Sequence, residues 1–209
     1  FPFIVNGDIP VANFNPLNPA TMCSNDSISI QDASTVNFGS ITKVEIYWDN
    51  VGAPGTFQTD DTPTPGKIYK HKYPTFSSPL TRTFTIRYRA YSGGTCVNDR
   101  IRTIVVNAAP QVQFNNMPDI CLDAAPIVLT QASEIGGVPG SGSYSGPGIT
   151  GGNTFYPALV GPGTYLIKYT YTSSAAGCVD TLSKPITVLD SASARFTYST
   201  LNCEGSPVS

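Results

Sequence analysis

The chain is poor in the side chains that build active sites. Charged residues make up only 12% of its 209 residues, about half the usual share of roughly 25%. It has one histidine and no Cys-x-x-Cys pair, so the ligand spacing of a zinc site is missing. No nucleophile can be matched with a base, and no second partner can be named for the lone His71. The chain therefore reads as non-enzymatic, with no catalytic residue. No apolar run is long enough to span a membrane. Nor does any long stretch repeat every 3.6 residues, as an amphipathic helix would. Twelve Lys and Arg stand against 14 Asp and Glu, for a formal charge of −2. Arg82, Arg87, Arg89, Arg100 and Arg102 alternate along strand-like segments, which places them on a solvated face. Nucleic acid is thereby excluded as a partner, because phosphate contacts need clustered positive charge.

What the chain does have is glycine (19), proline (18) and an abundance of Ser, Thr and Asn. That mixture suits many short strands joined by tight turns. It also has self-similarity, the mark of an array. Phe14 precedes Cys23, Phe114 precedes Cys121 and Phe196 precedes Cys203. A second cysteine closes the first two copies, in Thr95-Cys96-Val97-Asn98-Asp99 and Gly177-Cys178-Val179-Asp180. Valine-rich strands follow, Ile104-Val105-Val106 and Ile186-Thr187-Val188. Residues 1–10 read as a linker or the end of a preceding repeat, 11–107 and 108–190 as two full units, and 191–209 as the truncated start of a third. The chain is thus expected to be a piece of a longer repetitive protein. With no initiator Met and no signal peptide in view, its export signals are expected to have been removed or to lie outside it.

Period-two alternation supplies the architecture. In the first unit Phe84, Ile86, Tyr88 and Ala90 point inward while Thr83, Thr85, Arg87 and Arg89 point out. Val44, Ile46 and Trp48 share one face, opposite Lys43, Glu45 and Tyr47. In the second unit Tyr165, Ile167, Tyr169 and Tyr171 form the inward row. One polar face means an antiparallel sheet covered on one side. The glycine-dense span Gly136–Gly163 carries Tyr144, Phe155 and Tyr156 at strand-like intervals, which predicts short strands and tight turns. About seven short strands per unit imply an all-β fold of tandem immunoglobulin-like sandwiches, beads on a string. Such units should meet only through their short linkers, Ala108-Ala109-Pro110 and Asp190 to Ser193.

Cys96 and Cys178 fall beyond the ends of alternating strands, unlike the core-crossing bridge of antibody domains. The expectation is one staple within each sandwich, Cys23 to Cys96 and Cys121 to Cys178, each worth about 3–4 kcal/mol in the chain-entropy model. Disulfides point to an oxidising compartment. Cys203 is left unpaired, by truncation rather than as a reactive thiol.

Other candidates are weaker. His71, between Lys70 and Lys72, reads as a structural imidazole. Asp49 and Asp60-Asp61 are the residues from which a calcium site would start. Calcium needs six to eight oxygens and no Asp-x-Asp-x-Asp-Gly loop supplies them, so no cofactor is expected. Of the aromatics, Tyr47, Tyr91 and Tyr144 are the candidates for an exposed binding platform.

Val44-Glu45-Ile46-Tyr47-Trp48-Asp49, His71-Lys72-Tyr73-Pro74, Phe84 to Ala90 and Cys96 to Asp99 resemble the strands of a PKD (polycystic kidney disease) repeat, although the Gly-Asp-Gly turn of that family is replaced by Asn50 to Gly55. Tyr144-Ser145-Gly146-Pro147-Gly148-Ile149, Phe155-Tyr156-Pro157 and Gly161-Pro162-Gly163-Thr164-Tyr165 look like the immunoglobulin-like repeats of very long Bacteroidetes surface proteins. Ala194 to Tyr198 with Cys203 resembles the opening of another PKD-like copy. The resemblance implies a type IX-secreted, outer-membrane-associated cell-surface adhesin, such as the gliding-motility adhesins of the SprB group. It implies a surface glycan or protein as ligand, and secretion or motility machinery as a partner. Asp26-Ser27-Ile28, Asp180-Thr181-Leu182 and Asp190-Ser191-Ala192 fit the O-glycosylation pattern of that phylum, at Ser27, Thr181 and Ser191. The competing reading is an accessory carbohydrate- or protein-binding module of a secreted hydrolase.

Overall fold

A computed structural model describes residues 7–18 and 22–192. Eight strands form the first sandwich: β1 (Phe14–Pro16), β2 (Met22–Cys23), β3 (Ile28–Asp32), β4 (Ile41–Tyr47), β5 (Gln58–Asp60), β6 (Ile68–His71), β7 (Thr81–Ser92) and β8 (Cys96–Asn107). One sheet has the order β1-β3-β6 and the other β2-β8-β7-β4-β5. Two sheets from one short chain, joined by crossovers between them, make the immunoglobulin-like sandwich. β2 is the exception to the antiparallel pairing: it lies parallel to the far end of β8, Cys23 beside Asn107.

The second sandwich repeats this plan in shorter pieces: β9 (Val112–Phe114), β10 (Ile120–Cys121), β11 (Ile127–Val128), β12 (Ala132–Glu134), β13 (Gly140–Ser145), β14 (Ile149–Thr150), β15 (Thr154–Phe155), β16 (Gly163–Ser173) and β17 (Val179–Leu189). The sheet β10-β17-β16-β13 faces the small sheets β12-β9 and β11-β15-β14. Here too a two-residue strand, β10, runs parallel to the end of the last strand, Cys121 beside Leu189.

The alternation read from β7 and β16 is the one that fills the cores. Ile86, Tyr88 and Ala90 are fully buried with Phe14, Ile30, Val44 and Ile46 in one cluster. Ile167 and Tyr169 are buried with Phe114, Phe155 and Ile186 in the other, and Tyr165 and Tyr171 pack against it. The span from Gly136 to Gly163 does consist of short strands and turns. Its glycines have a packing reason. Gly142 lies on the inner face of β13, and a Cβ there would run into the Tyr169 ring. Gly148 takes φ 75°, a left-handed conformation that favours glycine.

The contact between sandwiches is wider than a linker. Ala108, Ala109 and Pro110 are buried rather than exposed. Val138, from the loop before β13, is 5% exposed and joins the core cluster of the first sandwich. A Cβ on Gly136 would meet Ser77 of that sandwich.

Adding one methyl group at Gly142 should therefore displace Tyr169 from a packed site. Gly142→Ala is expected to cost about 1–3 kcal/mol by overpacking, read from denaturant unfolding. Unchanged or raised stability would show that the ring has room to move.

Candidate functional site

The feature that sets this chain apart is the joint between its two sandwiches. Cys23, at the end of β2, is bonded to Cys178, in the turn before β17, with an S–S distance of 2.05 Å and a Cα–Cα distance of 5.6 Å. Cys96 and Cys121 are free thiols. The expected pairing within each unit is therefore wrong, and strand length gives the reason. Cys96 is the first residue of the twelve-residue β8, and Cys23 sits beside its last. A strand rises about 3.3 Å per residue, which puts these two cysteines roughly 36 Å apart, whereas a disulfide needs Cα atoms within about 7 Å. The same holds for Cys178 and Cys121 at the two ends of the eleven-residue β17.

Polar groups lock the joint around the sulfur bridge. The buried hydroxyl of Ser24 accepts from the backbone N–H of Phe76 (3.1 Å) and of Ala109 (3.0 Å), and donates to the Phe76 carbonyl (2.9 Å). This fixes the linker against the first sandwich. Asn25 donates its side-chain N–H to the Val179 carbonyl across the joint, at 2.9 Å. Asp180 accepts from the Val112 N–H at 2.8 Å, tying the start of the second sandwich to its last strand. Glu134 does most. Its carboxylate takes four backbone N–H groups, from Gln111, Gly136, Gly137 and Val138. One side chain thus shapes both the linker and the loop that delivers Val138 into the neighbouring core. The sequence offered a single hint of this, an acidic residue just ahead of Gly136-Gly137.

The proposed aromatic platform is not where it was expected. Tyr47 and Tyr144 are each 6% exposed. Tyr47 lies on the outer face as its strand parity requires, but the Arg87 guanidinium covers its ring at 3.7 Å and Phe57 packs at 4.9 Å. Tyr144 is an inner-face residue against Phe114 and Tyr169, its hydroxyl accepting from the Ala132 N–H. Tyr91 is half-buried and donates to Glu45. An open cleft of about 500 Å³ does lie beside β4 and β6, lined by Trp48, Phe57, Gln58, His71, Tyr73 and Arg82 among others. His71 stacks on Trp48 at 5.0 Å and meets the Tyr73 ring edge-on at 4.7 Å. Burial pushes its pKa below the ordinary 6.5.

Of the carboxylates considered for calcium, Asp61 is exposed, and Asp49 and Asp60 are committed to protein donors. Asp49 accepts from the Gly52 N–H. Asp60 holds Lys67 at 2.6 Å, the Tyr69 hydroxyl at 2.8 Å and the Thr62 N–H. Among the described residues no cluster of three metal-ligating side chains occurs, and no helix is long and apolar enough to cross a membrane. Ser27, Thr181 and Ser191 are exposed. Cys203 and the rest of the expected third unit beyond Ala192 lie outside the described residues.

No family model matches the chain, and neither does any curated protein. Solved structures with related outlines include the PKD1 domain of Epp from Vibrio anguillarum, at 17% identity over 49% of this chain and 98% of that one (TM-score 0.35). Others are the fibronectin(III)-like modules of CbhA from Clostridium thermocellum, at 15% identity over 90% and 100% (0.34), and Drosophila N-cadherin EC1-3, at 12% over 89% and 69% (0.32). The fold assignment rests on the strand pairings above, not on these likenesses.

The half-buried imidazole gives a pH signature. With its folded pKa below 6.5, the unfolded chain takes up the His71 proton first. Stability is therefore full above 6.5 and declines as pH falls through that value. His71→Gln should flatten unfolding free energy against pH below 6.5. A slope that persists in the variant would place its origin elsewhere.

Proposed function

We propose that this chain is a non-catalytic, load-bearing spacer from the repeat array of a secreted cell-surface adhesin. Its units are PKD-like (11–107) and immunoglobulin-like (108–190), and residues 191–209 open a third. The observation that carries this reading is the Cys23–Cys178 bridge between sandwiches. A pocket-based function has no use for it, whereas a tether does. Tension applied through the two chain ends follows the shortest covalent route, from residue 23 across the sulfur bond to residue 178. The 155 residues of sequence separation that hold most of both cores are then bypassed. A disulfide persists outside the reducing cytoplasm, which supports an extracellular setting. The surface-adhesin resemblance supports outer-membrane association, type IX export and a role in gliding. The exposed hydroxyls of Ser27, Thr181 and Ser191 are accessible for O-glycosylation.

Single-molecule pulling on the chain from its termini tests the tether. At about 3.5 Å per extended residue, reduction or the Cys23→Ser/Cys178→Ser pair should release roughly 500 Å of extra contour length over the oxidised chain. Equal contour lengths in the two states would end the load-bearing reading.

The cleft beside Trp48 favours a second reading, a module that binds glycan or peptide for a secreted hydrolase or for adhesion itself. Phe57 is 45% exposed at its rim, so it can be removed without opening the core. On that reading a glycan or peptide array gives specific binding, weakened at least tenfold by Phe57→Ala or Arg82→Ala. Binding untouched by either variant, or none, rejects the cleft as a site.

A further inference from the structure

Each sandwich carries its two cysteines at opposite ends of its long axis, and the two ends are not equivalent. The chain comes in at the end that holds Cys96, where the Gly7 carbonyl lies 4.0 Å from the Cys96 sulfur. In the second sandwich Val112 comes in at the end that holds Cys178, bonded through Asp180. The other ends hold Cys23 and Cys121. There the backbone is the same twice over. Cys23 pairs with Asn107 and the Ser24 N–H donates to its carbonyl at 2.8 Å, while Cys121 pairs with Leu189 and the Leu122 N–H donates to its carbonyl at 2.9 Å. The one bridge among the described residues joins a trailing-end cysteine to the leading-end cysteine of the next sandwich. What remains unbonded is a leading-end thiol, Cys96, half-buried, and a trailing-end thiol, Cys121, exposed.

These are the two halves of the bond already formed, so we propose that every junction of the array is bridged in this way: Cys121 bonds the leading-end cysteine of a following unit, and Cys96 the trailing-end cysteine of a preceding one. The inference deepens the spacer reading and rests on it. The partner is another unit of the same kind. The sequence keeps the required spacing. Phe114 stands seven residues after Asn107 and Cys121 seven further; Phe196 stands seven after Leu189 and Cys203 seven further. By this spacing Cys203 corresponds to Cys121, so the proposal does not pair the two. Each bond forms as two thiols lose one hydrogen apiece. Two protons and two electrons leave, and a disulfide oxidant takes them up and is itself reduced to two thiols.

The test is a tandem in which the chain through Leu189 is joined directly to a second copy running from Asp8 to Ser209, with Cys203→Ser in that copy. This join places the second Phe14 seven residues after Leu189, the spacing found at the existing junction. Both copies keep every residue of the two core clusters. After oxidation with glutathione disulfide at low protein concentration, peptides are mapped by mass spectrometry without reduction. The expected result is a Cys121–Cys96 peptide between copies, together with Cys23–Cys178 within each. In a second tandem with Cys121→Ser in the first copy, that peptide should vanish and the second Cys96 should become alkylated. Intact Cys23–Cys178 bonds with no Cys121–Cys96 peptide in the first tandem would overturn the proposal while leaving the spacer reading standing. Loss of Cys23–Cys178 as well would remove both.

Discussion

A fully paired last strand keeps the two cysteines of a sandwich apart, and most of the molecule's behaviour follows from that separation. β8 and β17 are the longest strands of their sheets together with their hairpin partners, and each has a cysteine at either extremity. Side chains cannot cross such a distance, so sulfur can only join a sandwich to whatever lies beyond its end. The bond between Cys23 and Cys178 therefore sets the relation between units rather than the stability of either core. Without it, the joint would rest on the buried linker, Val138 and a few hydrogen bonds alone, a small interface of the kind that lets domains move.

The non-covalent part of the joint is organised so that the bridge closes at little entropic cost. Ser24 accepts from the buried Ala109 N–H, which the Phe76 carbonyl also receives, and Glu134 accepts from the N–H of Gln111 just after the buried linker. Glu134 also holds the loop bearing Val138, whose burial is worth about 1.5–3 kcal/mol at most. No one of these contacts would hold two domains together against thermal motion. Acting jointly they keep Cys178 close to Cys23, and a high effective concentration of thiols favours their bond. The polar network selects the geometry and the sulfur bond retains it.

Much of the fold was legible in the sequence because one side of each main sheet is wet. β7 alternates aliphatic and aromatic residues with Thr and Arg, and that pattern has only one way to lie. Tyr144 was misread for the opposite reason. Its neighbours in β13 are Gly and Ser, so nothing marks which face is inner; the pairing with Tyr169 decides it. Tyr47 was assigned to the right face but is covered there, because β4 and β7 pair so as to bring Arg87 across from it. The cysteines show the deeper limit. Four cysteines allow three pairings, and composition and spacing do not rank them. The choice depends on which end of a strand each thiol occupies, a property of the assembled sheets. The repeat itself carried the answer once two copies could be laid end to end.

Consider what tension does to such a joint. The loaded route runs through β1 and β2 to Cys23, then through Cys178 along β17. Ile30, Val44, Ile86 and Tyr88 of one core, and Phe114, Phe155 and Ile167 of the other, lie in the bypassed span. A sandwich without the bridge would resist pulling by its folding free energy alone, and unfolding rates rise under force. With the bridge, unravelling of the bypassed span adds no length along the pulled route. Extension is limited to what the segments outside residues 23–178 can release, while the bypassed parts of the cores carry little load. For the length of the bypassed span under tension, thermodynamic stability then matters less than redox state, since only reduction of the bond releases that span.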